Sequence, residues 1–154
     1  MWQRIQTVFL AIAIISLVVS IFLPIWGIQE DTGKVHELYP LHYTTTENGT
    51  RITLYFPYAV TAILAIASAT LAFIEIRSFK NRMLQMKLGA LNSLFMAGTI
   101  ASAVIFANDL LKTYQGGNYG LGLWLPGVAV ICNLLANRFI RRDERLVRDS
   151  GRIR

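Results

Sequence analysis

Charge and reactive side chains are both scarce in this chain, and that scarcity limits what it can be. Only 16% of its 154 residues are charged, against about 25% in an average soluble protein. There is one cysteine, Cys132, inside an apolar stretch. A single thiol closes no internal disulfide and has no neighbouring partner for a metal. The two histidines, His36 and His42, stand six residues apart in one polar segment, and a strand's period of two places them on one face. Glu37 alternates to the other face, so a metal ligand set is incomplete and both rings read as solvated or interfacial. No Ser–His or Cys–His constellation is apparent, and Gly116-Gly117 reads as a turn because no strand precedes it and no Lys-Ser/Thr follows. The sequence offers no catalytic residue, no metal site, no cofactor site and no evident small-molecule substrate. It reads as a non-enzyme.

What the chain has is apolar sequence, 54% of it, gathered in four blocks rather than spread at helical or strand period. They cover about residues 5–26, 56–76, 88–107 and 121–140, the last interrupted by Asn133 and Asn137. At 1.5 Å per residue, about twenty residues cross a hydrocarbon core of about 30 Å. Trp2, Trp26, Tyr55, Tyr58, Tyr119 and Trp124 stand near block ends, where amphipathic rings favour the membrane interface. The first block is longer than a signal peptide's core and lacks a small-x-small cleavage site, so it is expected to stay as a helix.

Twelve of the 15 basic residues fall on one side of this arrangement. They are Arg4, then Arg77, Lys80, Arg82 and Lys87, then Arg138, Arg141, Arg142, Arg145, Arg148, Arg152 and Arg154. Only Lys34, Arg51 and Lys112 lie in the other connections. The positive-inside rule therefore places both termini in the cytoplasm of a multi-pass inner-membrane protein. The outer segment 27–55 contains two runs rich in Tyr, Thr, Leu and Ile, Val35 to Thr46 and Thr50 to Phe56, around Asn48-Gly49. That dipeptide favours a type I′ hairpin turn. The expected fold is an all-α four-transmembrane-helix bundle with a small extracytoplasmic β-hairpin between helices 1 and 2, followed by a basic helical tail over 141–154.

Inside the blocks, Glu75 is the one acidic residue, about a turn from the cytoplasmic end of the second helix. At that depth it is expected to pair with Arg77 or Arg82 at the interface rather than to carry ions. Asn133 and Asn137 are four apart and share a helix face; an interhelical bond from this pair to Asn92 would act as polar glue. Ala65 and Ala69, Ala97 and Ala101, and Gly98 and Ser102 are small pairs that let helices approach. In the tail, 100° steps place Arg138, Arg141, Arg142, Arg145, Arg148 and Arg152 along one stripe, with Phe139, Ile140, Leu146, Val147 and Ile153 opposite. Such a stripe suits anionic lipid headgroups, each basic residue contributing about 1 kcal/mol, or an acidic protein. Nucleic acid is disfavoured, because Phe139 is the tail's one aromatic and stacking residues are missing.

Three stretches are more distinctive. Gln3-Arg4-Ile5-Gln6-Thr7 opens the chain; Phe79-Lys80-Asn81-Arg82-Met83-Leu84-Gln85, with Leu88 and Asn92, precedes and enters the third helix. Asn133-Leu134-Leu135-Ala136-Asn137-Arg138 and Ile140-Arg141-Arg142-Asp143-Glu144-Arg145-Leu146-Val147-Arg148 end the fourth. Together they resemble a family of small four-helix membrane proteins of Bacteroidota, described only as a domain of unknown function (the DUF4293 family). The resemblance covers nearly the whole chain. The family's tail continues roughly as Arg-Ser-Ala-Asp-Arg, where this chain has Arg148-Asp149-Ser150-Gly151-Arg152. It implies an inner-membrane location and no activity, substrate or cofactor. The expected function is an accessory or scaffold subunit docking a membrane-protein partner, or a second copy of itself, through Lys80, Arg82, Gln85, Arg138, Arg141, Arg142, Arg145 and Arg148. The competing expectation is a small transporter or ion-conducting bundle using Glu75, Asn92, Asn133 and Asn137.

Overall fold

The computed structural model describes residues 2–79 and 81–151, with side chains over 5–79 and 81–146. Four helices form an up-down ring: α1 (Trp2–Ile21), α2 (Ala59–Arg77), α3 (Arg82–Tyr114) and α4 (Leu121–Gly151). α1 and α3 each pack on both α2 and α4. Their contact surfaces are built largely of small residues, with Ala13, Ala65, Ala72, Ala129 and Ala136 all buried between Leu10, Leu17 and Met96. Small side chains allow the close backbone approach that packing requires where lipid supplies no hydrophobic drive.

The bundle is inverted relative to a soluble one. Ser68, Glu75, Asn92 and Asn133 are fully buried, while Ile15, Ile63 and Leu94 are more than half exposed. Among the described residues, three helical stretches are long and apolar enough to cross a membrane: Ala59–Arg77, Arg82–Tyr114 and Leu121–Leu146; α1 contributes a further apolar stretch over Ile5–Ile21. An apolar exterior around a polar interior is the pattern of a membrane protein.

The helix ends have local causes. α1 stops before Leu23-Pro24, where proline removes a donor and pushes the preceding residue out of the helical region. α3 begins six residues before the apolar block it was expected to start with. Asn81 caps it, its side-chain oxygen accepting from the Leu84 amide at 3.1 Å. That extra turn brings Gln85 into the bundle. α4 runs without a break through the arginines to Gly151.

The expectation of an all-α fold with one hairpin is overturned by a five-stranded antiparallel sheet at the end of the bundle opposite the arginines. Its strands are β1 (Trp26–Gln29), β2 (Val35–Leu38), β3 (Tyr43–Glu47), β4 (Thr50–Leu54) and β5 (Asn118–Tyr119), in the order β4-β3-β2-β1-β5. The Asn48-Gly49 turn is present, with φ of 49° and 81° and Glu47 paired to Thr50. The run from Val35 to Thr46 is two strands, because Pro40 interrupts it and the Tyr39 amide donates to the His42 carbonyl at 2.8 Å to close a turn. β1 begins at Trp26, the last residue of what reads as the first apolar span. β5 ties the α3–α4 connection onto β1, pairing Trp26 with Tyr119.

Trp26 is also corrected. It was expected at the interface, but it is fully buried, plugging the bundle with Ile25 and Leu38 against Ala103, Ala107 and Leu110 of α3. Gly117, at φ 105°, lies against its indole ring, where a Cβ would collide.

Candidate functional site

One group of buried polar residues bridges α2, α3 and α4 in the half of the bundle nearer the arginines. Ser68 of α2 donates to Asn92 Oδ1 at 2.5 Å. Asn92 Nδ2 reaches Asn133 Oδ1 of α4 at 3.4 Å, a long bond. Asn133 Nδ2 is held by Ser93 Oγ at 2.9 Å and by the Gly89 carbonyl at 3.2 Å. The chain of amides thus crosses three helices. Ser68, Ser93 and Gly89 were not singled out from sequence, although Ser68 lies seven residues before Glu75 and Gly89-x-x-x-Ser93 is another small pair.

Glu75 departs from its expected role. It is fully buried, and among the described residues neither carboxylate oxygen has a hydrogen-bond partner. Arg82 is committed elsewhere: its Nη2 lies 3.0 Å from Asp143 Oδ2 and its Nη1 donates to the Asp143 carbonyl at 3.0 Å, clamping α3 to α4. Gln85, expected on a docking surface, instead turns inward; it is buried, and its Nε2 donates to the Glu75 carbonyl at 2.9 Å. Its position one helical turn inside α3 explains this, since that face meets the end of α2.

Asn137 shares the face of Asn133 but makes no such bond. Its amide lies against the bare Cα of Gly89, and among the described residues its Oδ1 has no hydrogen-bond partner. Beside it opens a groove of about 730 Å³ lined by Ala90 and Ser93 of α3 and by Leu134, Asn137, Arg138, Arg141, Arg142 and Arg145 of α4. These four arginines are exposed. The structure therefore brings four of the expected basic residues together, and leaves Arg82 and Gln85 out of their group. Lys80 and the side chain of Arg148 lie outside the described residues, as do Arg152 and Arg154.

At the opposite end, His36 is buried rather than solvated. Its Nδ1 lies 2.7 Å from Tyr43 Oη and 3.2 Å from Thr45 Oγ1, and Tyr43 Oη lies 2.9 Å from Tyr114 Oη. Burial, and then the Tyr114 hydroxyl, push the Tyr43 phenol well above its ordinary value. His42 sits in the β2–β3 turn rather than on the strand with His36, its ring stacked 5.0 Å from Tyr39. The expected shared face is therefore absent. Among the described residues no three His, Cys, Asp or Glu side chains are grouped to hold a metal.

Residues 2–153 match a family described as a domain of unknown function (DUF4293). No curated protein matches the chain.

Proposed function

The chain belongs to the DUF4293 family, and from that premise we propose a non-catalytic accessory or scaffold protein of the inner membrane. It crosses the bilayer four times with both termini in the cytoplasm, and it docks an acidic membrane-protein partner through the arginine-bearing inner end of α4. The observation that carries this reading is a contrast in access. Glu75, Asn92 and Asn133 are sealed at 0% exposure, whereas Arg138, Arg141, Arg142 and Arg145 stand open. A transport path needs the first group wetted; a docking surface needs the second group exposed to solvent.

Geometry adds support. α4 continues eleven residues beyond Ile140, about 16 Å at helical rise, and the Arg82–Asp143 clamp braces its first turn. A braced helix presents its charges at low entropic cost. Basic residues at the inner ends of the spans also fit the positive-inside rule.

The test is purification in mild detergent with identification of co-purifying proteins, repeated with Arg141, Arg142, Arg145 and Arg148 changed to glutamine. The reading expects a partner that is lost in the variant. A partner retained in full removes the arginines from docking, and a chain that purifies alone in every mild detergent contradicts the scaffold role. A second reading, a small transporter or ion-conducting bundle, rests on the buried carboxyl of Glu75, which has no hydrogen-bond partner among the described residues. Proton or cation flux in proteoliposomes, abolished by Glu75→Gln, would favour it.

A further inference from the structure

The arginine groove does not end where its cationic lining ends. Farther along the same α3–α4 seam lies a second open hollow of about 540 Å³, lined by Ala97, Ile100, Ala101, Val104 and Ile105 of α3 and Val130 of α4. On α3, Ala90, Ser93, Ala97, Ala101 and Val104 follow one another at steps of three or four, so the two hollows lie on one helix face. On α4 the same register runs from Val130 through Leu134 and Asn137 to Arg141 and Arg145. The seam is thus cationic at its inner end and apolar beyond Ser93.

We propose that this seam binds one anionic diacyl phospholipid of the inner leaflet, with its headgroup phosphate at Arg138, Arg141 and Arg145 and an acyl chain against Ala97, Ala101 and Val130. The inference rests on the inner-membrane topology proposed above, but not on the existence of a protein partner.

Three observations fit this occupant. From Ala90 to Val104 is fourteen residues, about 21 Å of helix, enough to cover the ~15 Å depth of one leaflet of a ~30 Å core. Ala97 and Ala101 remain exposed, although Gly98 packs on Leu64 of α2 and Ser102 accepts from Thr61 at 3.0 Å. Those two alanines therefore leave a furrow that the bundle itself does not fill. Asn137 stands where the apolar and cationic parts meet; it is 8% exposed and lines the groove. Guanidinium groups match phosphate in both charge and geometry.

A second copy of the chain would also cover an apolar furrow. It would bring its own arginines to the same end, opposing like charges across the contact, so lipid is the better complement.

The probe is phosphatidylglycerol, whose headgroup carries a net negative phosphate, with zwitterionic, net-neutral phosphatidylcholine as the control. The delipidated full chain in detergent is titrated with each lipid and read by native mass spectrometry, with Cys132 protection from thiol dyes reporting the fold. One phosphatidylglycerol per chain is expected, bound at least about tenfold more tightly than phosphatidylcholine, since each basic contact contributes about 1 kcal/mol. Arg138→Gln with Arg141→Gln should bring the two lipids to equal retention, and Ala101→Phe should lower retention of both about tenfold. Equal binding of the two lipids by the unaltered chain overturns the proposal. So does full phosphatidylglycerol binding by a folded Ala101→Phe chain, displacement by soluble glycerol phosphate, or a lipid-free dimer that cross-links through position 101. Outward exposure of the C-terminus in cells would sink the topology instead, and co-purification failure would sink the docking role; neither changes this measurement.

Discussion

Asn137 on α4 rests its side-chain amide directly on the Cα of Gly89 on α3, in space that any β-carbon at position 89 would occupy. The contact sets the approach of the two helices beside the arginine groove, and it couples two residues 48 positions apart in sequence.

Gly89→Ala therefore opposes two effects. Alanine gains up to about 1 kcal/mol of helix propensity, while the added carbon displaces the Asn137 amide at an overpacking cost of about 1–3 kcal/mol. The net expectation is destabilisation by about 1 kcal/mol, read as earlier thermal labelling of the buried Cys132. Gly127, where a β-carbon meets nothing within 4 Å, should respond in the opposite sense to Gly127→Ala. Adding Asn137→Ala to Gly89→Ala should restore most of the loss, a coupling that a double-mutant cycle isolates.

The Arg82–Asp143 clamp is more shielded than a surface ion pair, with side-chain exposures of 24% and 19%. Arg82→Gln or Asp143→Asn should each cost about 1 kcal/mol and increase hydrogen exchange over residues 141–151. The exchange effect should exceed the change in global stability, because the pair ties a helical extension rather than the bundle. An unchanged exchange pattern would show that the extension holds itself.

His42 predicts a pH response at the outer sheet. Burial first, and then the neighbouring Arg51, hold its imidazole below the ordinary value of 6.5, with Glu37 pulling the other way. The folded state therefore favours the neutral ring. Its contribution is complete above about pH 6.5 and is lost as pH falls through the depressed folded value. Unfolding of the unaltered chain, followed by the fluorescence of buried Trp26, should become easier between pH 7.5 and 5.5. His42→Gln should flatten that slope, and because His36 is present in both chains the difference isolates His42.

Much of the bundle was legible because lipid imposes a length and a composition that soluble folds do not. The blocks around Ala65, Met96 and Ala129 lie within helices, and Asn48-Gly49 announces its turn through positive φ. The sheet was less legible. β1 has four residues, of which Trp26 closes what reads as the first apolar span and the other three open the outer segment; β5 has two residues and is a strand only through its pairing with β1. Among the candidate residues, helix phase grouped Arg138, Arg141, Arg142 and Arg145. It could not foresee that Asn81 would cap α3 early and turn Gln85 inward. The Arg82–Asp143 pairing spans 61 positions, and no periodicity carries such information.

The central claim is that the arginine end of the bundle faces the cytoplasm and the sheet faces outward. Single cysteines at Lys34, Arg51 and Arg145, introduced with Cys132→Ala, can be labelled in intact cells by a membrane-impermeant maleimide. Positions 34 and 51 should label at once, and position 145 only after the membrane is permeabilised. Immediate labelling at 145, with protection at 34 and 51, would contradict the account.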